Sequence, residues 1–280
     1  MIDPTSREPA GAARSADQYA PEHARDGAPG GAGTTDFGYR QVPEQEKSEH
    51  VAGVFHSVAR NYDLMNDLMS AGLHRWWKAF TIRQAQVRPG MKVLDVAGGT
   101  GDLALRFARQ AGPQGEVWLT DINGSMLAQG RDRMLDAGVL LPVAQCDAER
   151  LPFADAHFDV VTVAFGLRNI ADTARGLAEM ARVCRPGGKL AILEFSLPRN
   201  AAVRGFYLWY FRNVLPRLGN AVARNSSDAY TYLNESVEQF PSGEALATVV
   251  RQAGFSSVDV RPLTFGIATL YVATKGPAHG

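Results

Sequence analysis

The distribution of apolar positions divides the chain near Val51. Residues 1 to about 45 carry no periodic apolar residues and are rich in Ala, Gly and Pro, as in GAPGGAGTT. Such a segment buries too little to offset the entropy of ordering, so a disordered extension is expected. From Val51 onward Val54, Phe55, Val58, Tyr62, Leu64 and Met65 recur at helical spacing and open a helical segment over 46–90. Strands and helices then alternate. VLDVA (93–97), VWLTDI (117–122), a short run at 141–146, FDVVTVAFG (158–166) and KLAILEFSL (189–197) read as strands. DLALRFARQ (102–110), 125–137 and 173–184 read as the intervening helices, the last stopped by RPGGK. FDVVTVAFG is apolar throughout, which implies burial on both faces. The alternation predicts a doubly wound α/β fold with a parallel sheet and right-handed crossovers.

The pattern changes after Pro198. Residues 198–240 form an aromatic, basic and predominantly helical insertion, and EALATVVRQAGF (244–255) reads as a helix ending at Gly254. VDVRPL (258–263) and IATLYVATK (267–275) lie too close together for a parallel crossover, so they are expected to pair as an antiparallel hairpin. The expected organisation is an extension (1–45) and one domain (46–280). That domain comprises a lid (46–90), a sheet core (91–197), the insertion (198–240) and a final helix with hairpin (241–276).

Composition excludes several classes. The 280-residue chain has 29 basic and 29 acidic residues, and this balance gives no reason to propose a nucleic-acid partner. Two cysteines, Cys146 and Cys184, exclude a disulfide framework or a cysteine metal site and suit a reducing cytosol. No run of about 18 apolar residues predicts a membrane span. Acids at Asp3, Glu8, Asp17, Glu22 and Asp26 argue against a mitochondrial transit segment. A cytoplasmic protein is expected.

The strongest local chemistry is Asp95-Val-Ala-Gly98-Gly99-Thr100-Gly101, at the junction of the first core strand and its helix. Glycines there permit a tight turn and close approach of a ligand. Asp121 ends the second strand, placed for ribose hydroxyls, and Asp147 with Ala148 follows the third. Ligands of open α/β sheets bind outside the carboxyl ends of the strands, so these acids should line one crevice. Gly99-x-Gly101-x-x-Ala104 also satisfies a relaxed dinucleotide pattern, which keeps an NAD-dependent oxidoreductase in view. Asp95 favours S-adenosylmethionine: a carboxylate at the loop repels a pyrophosphate and attracts an ammonium and a sulfonium. Asp121 then takes the ribose diol, Asp147 the adenine amino group, and the Ala148 N–H a ring nitrogen.

Further motifs resemble the ubiquinone/menaquinone biosynthesis C-methyltransferases. They are VFHSVARNYDLMNDLMSAGLHRWWK (54–78), VLDVAGGTGDLA (93–104), TDINGSML (120–127), DAERLPF (147–153), FGLRN (165–169), RPGGKLAILEFS (185–196), VLPRLG (214–219) and DAYTYLNESVEQFP (228–241). The resemblance spans about 50–275 and implies a Rossmann-like class I methyltransferase. Its expected fold is a mostly parallel seven-stranded sheet with a C-terminal antiparallel hairpin and a helical lid. It implies S-adenosylmethionine as cofactor and a polyprenylated benzoquinol or naphthoquinol as acceptor. Thr100, Asp121, Asp147 and Ala148 fall on the family's cofactor positions. Ala164 stands where many members have serine before FGLRN, so that position is not carried over.

Methyl transfer to a ring carbon needs an adjacent hydroxyl deprotonated and its oxyanion stabilised. Arg168 is expected to stabilise that oxyanion and Asn169 to orient the ring; the alternative is a structural turn pair. His56, His74, Tyr62 and Asp63 are candidate bases, Tyr230 and Tyr232 candidate substrate contacts, and Glu194 either faces the crevice or forms a salt bridge. Between Glu194 and Asp228 there is no acid, while arginines punctuate an aromatic run. Residues 199–224 therefore suit peripheral contact with an anionic bilayer, or packing against the domain or a second subunit. A homodimer, a quinone-biosynthesis complex, or a scaffold that binds cofactor without turnover are compatible with the same pattern.

Overall fold

The computed structural model describes residues 34–43, 46, 47, 51, 62–215, 232 and 235–277, with backbone alone at 62–65. The order of elements is β1 (Thr34–Phe37), β2 (Arg40–Pro43), α1 (Tyr62–Ser70), α2 (His74–Ala85), β3 (Lys92–Val96) and α3 (Asp102–Ala111). There follow β4 (Glu116–Asp121), α4 (Gly124–Asp136), β5 (Val143–Gln145), β6 (Phe158–Ala164), α5 (Thr173–Val183) and β7 (Cys184–Phe195). The chain ends with α6 (Ala201–Asn213), α7 (Glu244–Gln252), β8 (Phe255–Leu263) and β9 (Ala268–Lys275).

The seven-stranded sheet runs in the order β5-β4-β3-β6-β7-β9-β8. Every pairing is parallel except those of β9, which is antiparallel to both β7 and β8. The expected terminal hairpin is thus present, with β9 inserted between β7 and β8. Successive residues of β3 feed opposite cores, as the pleat requires. Val93 joins Phe107, Leu119 and Met134 beneath α3 and α4. Leu94 joins Val161, Leu177, Met180 and Val250 beneath α5 and α7. A third cluster gathers Trp77, Phe165, Phe195, Tyr207, Phe211 and Tyr232 around the carboxyl ends of β6 and β7. There α1, α2 and α6 meet the sheet.

Two expectations are corrected. Residues 34–43 are not disordered: β1 and β2 pair from Thr34↔Pro43 to Phe37↔Arg40 around Gly38, whose φ is +60°. The anchors are tertiary and invisible to periodicity. Thr35 Oγ1 donates to Ala171 O at 2.9 Å, the Tyr39 N–H donates to Glu235 Oε2 at 3.1 Å, and Phe37 stacks on Tyr232. The fifth core strand also begins earlier than KLAILEFSL. RPGG does not separate helix from strand but lies within β7, where pairing shifts register between Phe158↔Cys184 and Val160↔Lys189.

Candidate active site

The carboxyl ends of β3, β4 and β6 open onto a cleft of about 390 Å³. Asp121 is its central acid. Oδ2 accepts the Gly99 N–H at 2.9 Å and Oδ1 accepts the Asn123 N–H at 2.8 Å, so one carboxylate ties the glycine loop to the start of α4. Burial raises its pKa, and the backbone donors at Asn123, Gly99 and Ile122 oppose the rise. Asn123 caps α4, accepting from the N–H groups of Ser125 and Met126. Gly99 takes φ +58°, and a side chain there would begin 3.1 Å from Met126 Cε on the cleft wall.

Asp147 is exposed at the cleft, its Oδ1 accepting the Glu149 N–H at 2.9 Å, and Ala148 is half-buried beside it. Glu149 accepts the Asp172 N–H at 2.8 Å. Burial first, then the carboxylates of Asp147 and Asp172, raise its pKa. Gly99, Asp121, Asp147 and Ala148 therefore line the cleft as expected from sequence. Asp95, Thr100 and Gly101 do not. Thr100 is buried, and Gly101 precedes α3 and packs against Met134. Asp95 lies beneath the loop rather than at its mouth. Its Oδ1 accepts from Thr162 Oγ1 at 2.8 Å, while Oδ2 is buried without a hydrogen-bond partner next to Gly98. Burial lifts the Asp95 pKa to about 7, opposed by the Thr162 hydrogen bond and the charge of Lys78.

Arg168 is likewise displaced from its expected role. It is buried, and its Nη1 bonds Glu194 Oε1 at 2.6 Å and Phe165 O at 2.9 Å. Its Nε donates to Ser236 Oγ at 3.3 Å, and its guanidinium lies over the Phe195 ring at 5.5 Å. The guanidinium is spent on the base of the FGLRN turn, and Arg168 is not a wall of the cleft. Glu194 is accordingly the salt-bridge partner, one of the two roles open from sequence. Asn169 does line the cleft, and its Oδ1 accepts from the buried hydroxyl of Tyr232 at 3.0 Å. His74 is buried away from the cleft, Nδ1 lying 3.1 Å from Ser70 Oγ and 3.5 Å from Asp67 Oδ1. His56, Tyr230 and the side chains of Tyr62 and Asp63 lie outside the described residues.

Sequence reasoning missed Asn123, Glu149, Phe165, Gly166 and Val51 as lining groups. The first four immediately follow strand ends or acids already singled out, which is the signal that finds them. Val51 reaches the cleft only through tertiary folding.

The site fits S-adenosylmethionine and opposes a dinucleotide. Among the described lining residues, Asp121, Asp147 and Glu149 face a single guanidinium, Arg175, which favours a cationic ligand. The Gly99 N–H that a pyrophosphate would need is already taken by Asp121. Asp95, beneath the loop, adds a further acid whose Oδ2 has no hydrogen-bond partner among the described residues.

Fold and site together define a class I S-adenosylmethionine-dependent methyltransferase. The same architecture recurs in a putative S-adenosylmethionine-dependent methyltransferase from Methanococcus maripaludis: TM-score 0.54, 17% identity, 79% of this chain and 93% of that one. A SAM-dependent methyltransferase from Aquifex aeolicus aligns with TM-score 0.52 and 17% identity over 70% of this chain and 88% of that one. At such identity these likenesses concern the fold. Residues 43–275 match the ubiE/COQ5 methyltransferase family, and the chain belongs to that family. The ubiquinone/menaquinone biosynthesis C-methyltransferase of Ralstonia pickettii is 60% identical over 86% of this chain and 98% of its own length. That of Bordetella parapertussis is 58% identical over 91% and 98%. The oxidoreductase alternative finds no support among these relatives.

Proposed function

We propose that the protein transfers the methyl group of S-adenosylmethionine to a ring carbon of a polyprenyl quinol in ubiquinone or menaquinone biosynthesis. The observation that carries this reading is Asp121 bracketing Gly99 and Asn123 at the cleft of a chain whose relatives bear that activity in their names. When bound, the cofactor supplies an electrophilic methyl on a cationic sulfur. Asp121 keeps lone pairs for ribose hydroxyls beyond the backbone N–H groups it accepts. Asp147 and Ala148 serve the adenine edge. Asp95, beneath the loop, contributes attraction for a cation through a medium of low dielectric, and Thr100 and Gly101 shape the loop from behind.

On the substrate side, Asn169 is the group placed to orient a quinol ring, with its Oδ1 fixed by Tyr232. Arg168 acts as a positioning residue that clamps the Phe165 carbonyl to Glu194. Holding carbon and sulfonium in line supplies much of the acceleration. The isoprenoid tail places the acceptor in a membrane, which matches the basic, aromatic 199–224 segment as a peripheral contact. Among the described residues no helix is long and apolar enough to cross a membrane.

The test incubates the protein with methyl-labelled S-adenosylmethionine and reduced demethylmenaquinol or 2-polyprenyl-6-methoxy-1,4-benzoquinol. Mass spectrometry should show the label on a ring carbon. Cofactor binding without turnover of either quinol would overturn the reading in favour of a scaffold.

A further inference from the structure

We propose that the buried hydroxyl of Tyr207, on α6, is the hydrogen-bond donor to the acceptor's ring oxygen beside the carbon that is methylated. This inference rests on the quinol reading and assigns a task which that reading leaves open. Arg168, the cation expected there from sequence, is spent on Glu194, the Phe165 carbonyl and Ser236.

Tyr207 is 6% exposed, and among the described residues its hydroxyl is buried without a hydrogen-bond partner. The neighbouring tyrosines behave differently. The Tyr210 hydroxyl donates to Leu68 O at 2.8 Å, and the Tyr232 hydroxyl donates to Asn169 Oδ1 at 3.0 Å. A buried hydroxyl that no group accepts costs stability, because water solvates it in the unfolded chain. Phenylalanine would fill the same space without that cost, so packing does not account for the hydroxyl.

The surroundings suit a flat ring. Tyr207 belongs to the cluster of Trp77, Phe165, Phe195, Phe211 and Tyr232 at the carboxyl ends of β6 and β7. Two members of that cluster, Val51 and Phe165, line the cleft, and a third, Tyr232, is bonded to the lining Asn169. The Tyr210 bond to Leu68 O holds α6 against α1 over this edge. Aromatic walls with a few fixed polar groups are the usual make-up of a site for an apolar ring.

The chemistry calls for a donor of this kind. The acceptor hydroxyl ionises, and its electron pair drives the adjacent ring carbon onto the methyl. The sulfur keeps the electrons of the bond that breaks, the ring proton leaves as aromaticity returns, and one proton in all is lost to water. Charge on the ring oxygen has to be stabilised while it persists, and a fixed donor in a dry site does so strongly. Burial pushes the Tyr207 pKa above its ordinary value, outweighing the opposing charge of Arg168 on the FGLRN turn, and Tyr210 of the same helix adds to the rise. The hydroxyl therefore keeps its proton and serves as a donor rather than a base.

The experiment compares the full chain with its Tyr207→Phe variant, using S-adenosylmethionine and short-tailed forms of the two quinols. kcat should fall about ten- to a hundredfold, the effect of losing a hydrogen bond to a charged oxygen. Calorimetric affinity for S-adenosylmethionine should not change. The melting temperature should hold or rise, since the variant no longer buries an unsatisfied hydroxyl. The rise of kcat with pH should move to higher pH, because a donor to the oxyanion lowers the pKa of the bound acceptor. Full turnover by Tyr207→Phe, matching that of the unaltered protein, overturns the proposal and leaves the function standing. A lower melting temperature assigns the hydroxyl to holding the fold and also overturns it. An unaltered protein that methylates neither quinol sinks the function, and this inference with it.

Discussion

The Tyr232 hydroxyl donates to Asn169 Oδ1 at 3.0 Å while the face of its ring carries Phe37, with centroids 4.3 Å apart. A residue of the N-terminal hairpin, a residue of the insertion and a residue of FGLRN thus form one column that ends at the cleft. Removing the hydroxyl with Tyr232→Phe should free the Asn169 amide. A neutral hydrogen bond contributes about 0.5–1.5 kcal/mol, so kcat/KM for a quinol should fall about two- to tenfold. Affinity for S-adenosylmethionine, measured by calorimetry, should not change. Phe37→Ala should act in the same direction. Equal losses of cofactor affinity would show that the column supports the cleft wall rather than the acceptor.

Much of this architecture was legible in the chain. VLDVA, FDVVTVAFG and IATLYVATK read as strands because their apolar runs are the direct consequence of double-sided burial. Gly99, Asp121 and Asp147 could be placed at one edge because strand ends in a parallel sheet all open there. What stayed hidden depends on contacts between distant segments. The 34–43 hairpin has no apolar alternation and is held by Ala171, Glu235 and Tyr232. Arg168 and Asp95 carried the right chemistry, but sequence gives no means of seeing that Glu194 and Thr162 would claim them.

Asp121→Ala should weaken cofactor binding about ten- to a hundredfold, from loss of a charged acceptor contributing about 1.5–3 kcal/mol. The same change orphans the Gly99 and Asn123 N–H groups. A drop in melting temperature of the cofactor-free protein should therefore accompany the loss of affinity. Unchanged calorimetric affinity would remove Asp121 from the cofactor site.

Ala97 and Gly166 face each other across the ends of β3 and β6. A Cβ on Gly166 would lie 2.7 Å from the Cβ of Ala97. Gly166 itself has φ −112°, which any residue tolerates, so the obstruction is purely steric. Gly166→Ala should destabilise by about 1–3 kcal/mol as an overpacked site. Ala97→Gly removes the opposing methyl at a left-handed position, φ +49°, and should rescue the variant. A double-mutant cycle by denaturant unfolding should give a coupling of about 1 kcal/mol or more. Additive effects would mean that the loop yields instead.

Arg168 and Glu194 form a buried pair, with side chains 3% and 1% exposed. Arg168→Met strands the carboxylate and should cost about 3–5 kcal/mol. Adding Glu194→Leu should restore most of the melting temperature, since apolar replacement of a buried pair is often neutral. Quinol turnover should stay depressed in the double variant, because the hydrogen bond from Arg168 that fixes the Phe165 carbonyl at the cleft is gone. Recovery of both stability and turnover would confine the pair to holding the turn.

Asp95 gives the protein a pH dependence whose sign follows from its burial. Its ordinary pKa is 3.8, and in the folded chain it rises to about 7, with desolvation outweighing the Thr162 hydrogen bond and Lys78. Between roughly pH 4 and 7 the native state therefore holds a proton that the unfolded chain has released. Stability must fall as pH rises through this window, by a total on the order of 4 kcal/mol at most. Asp95→Asn keeps an oxygen for Thr162 and carries no charge, so its stability should lack this component. The melting temperatures of the two proteins should be close near pH 4, and the variant should become progressively the more stable toward pH 8. A cationic cofactor favours the ionised carboxylate, so binding near pH 7 should release protons from the unaltered protein and none from Asp95→Asn. Calorimetry in buffers of different ionisation enthalpy measures that release. Parallel stability curves, or equal proton release, would mean that Asp95 stays ionised beneath the loop in the cofactor-free protein.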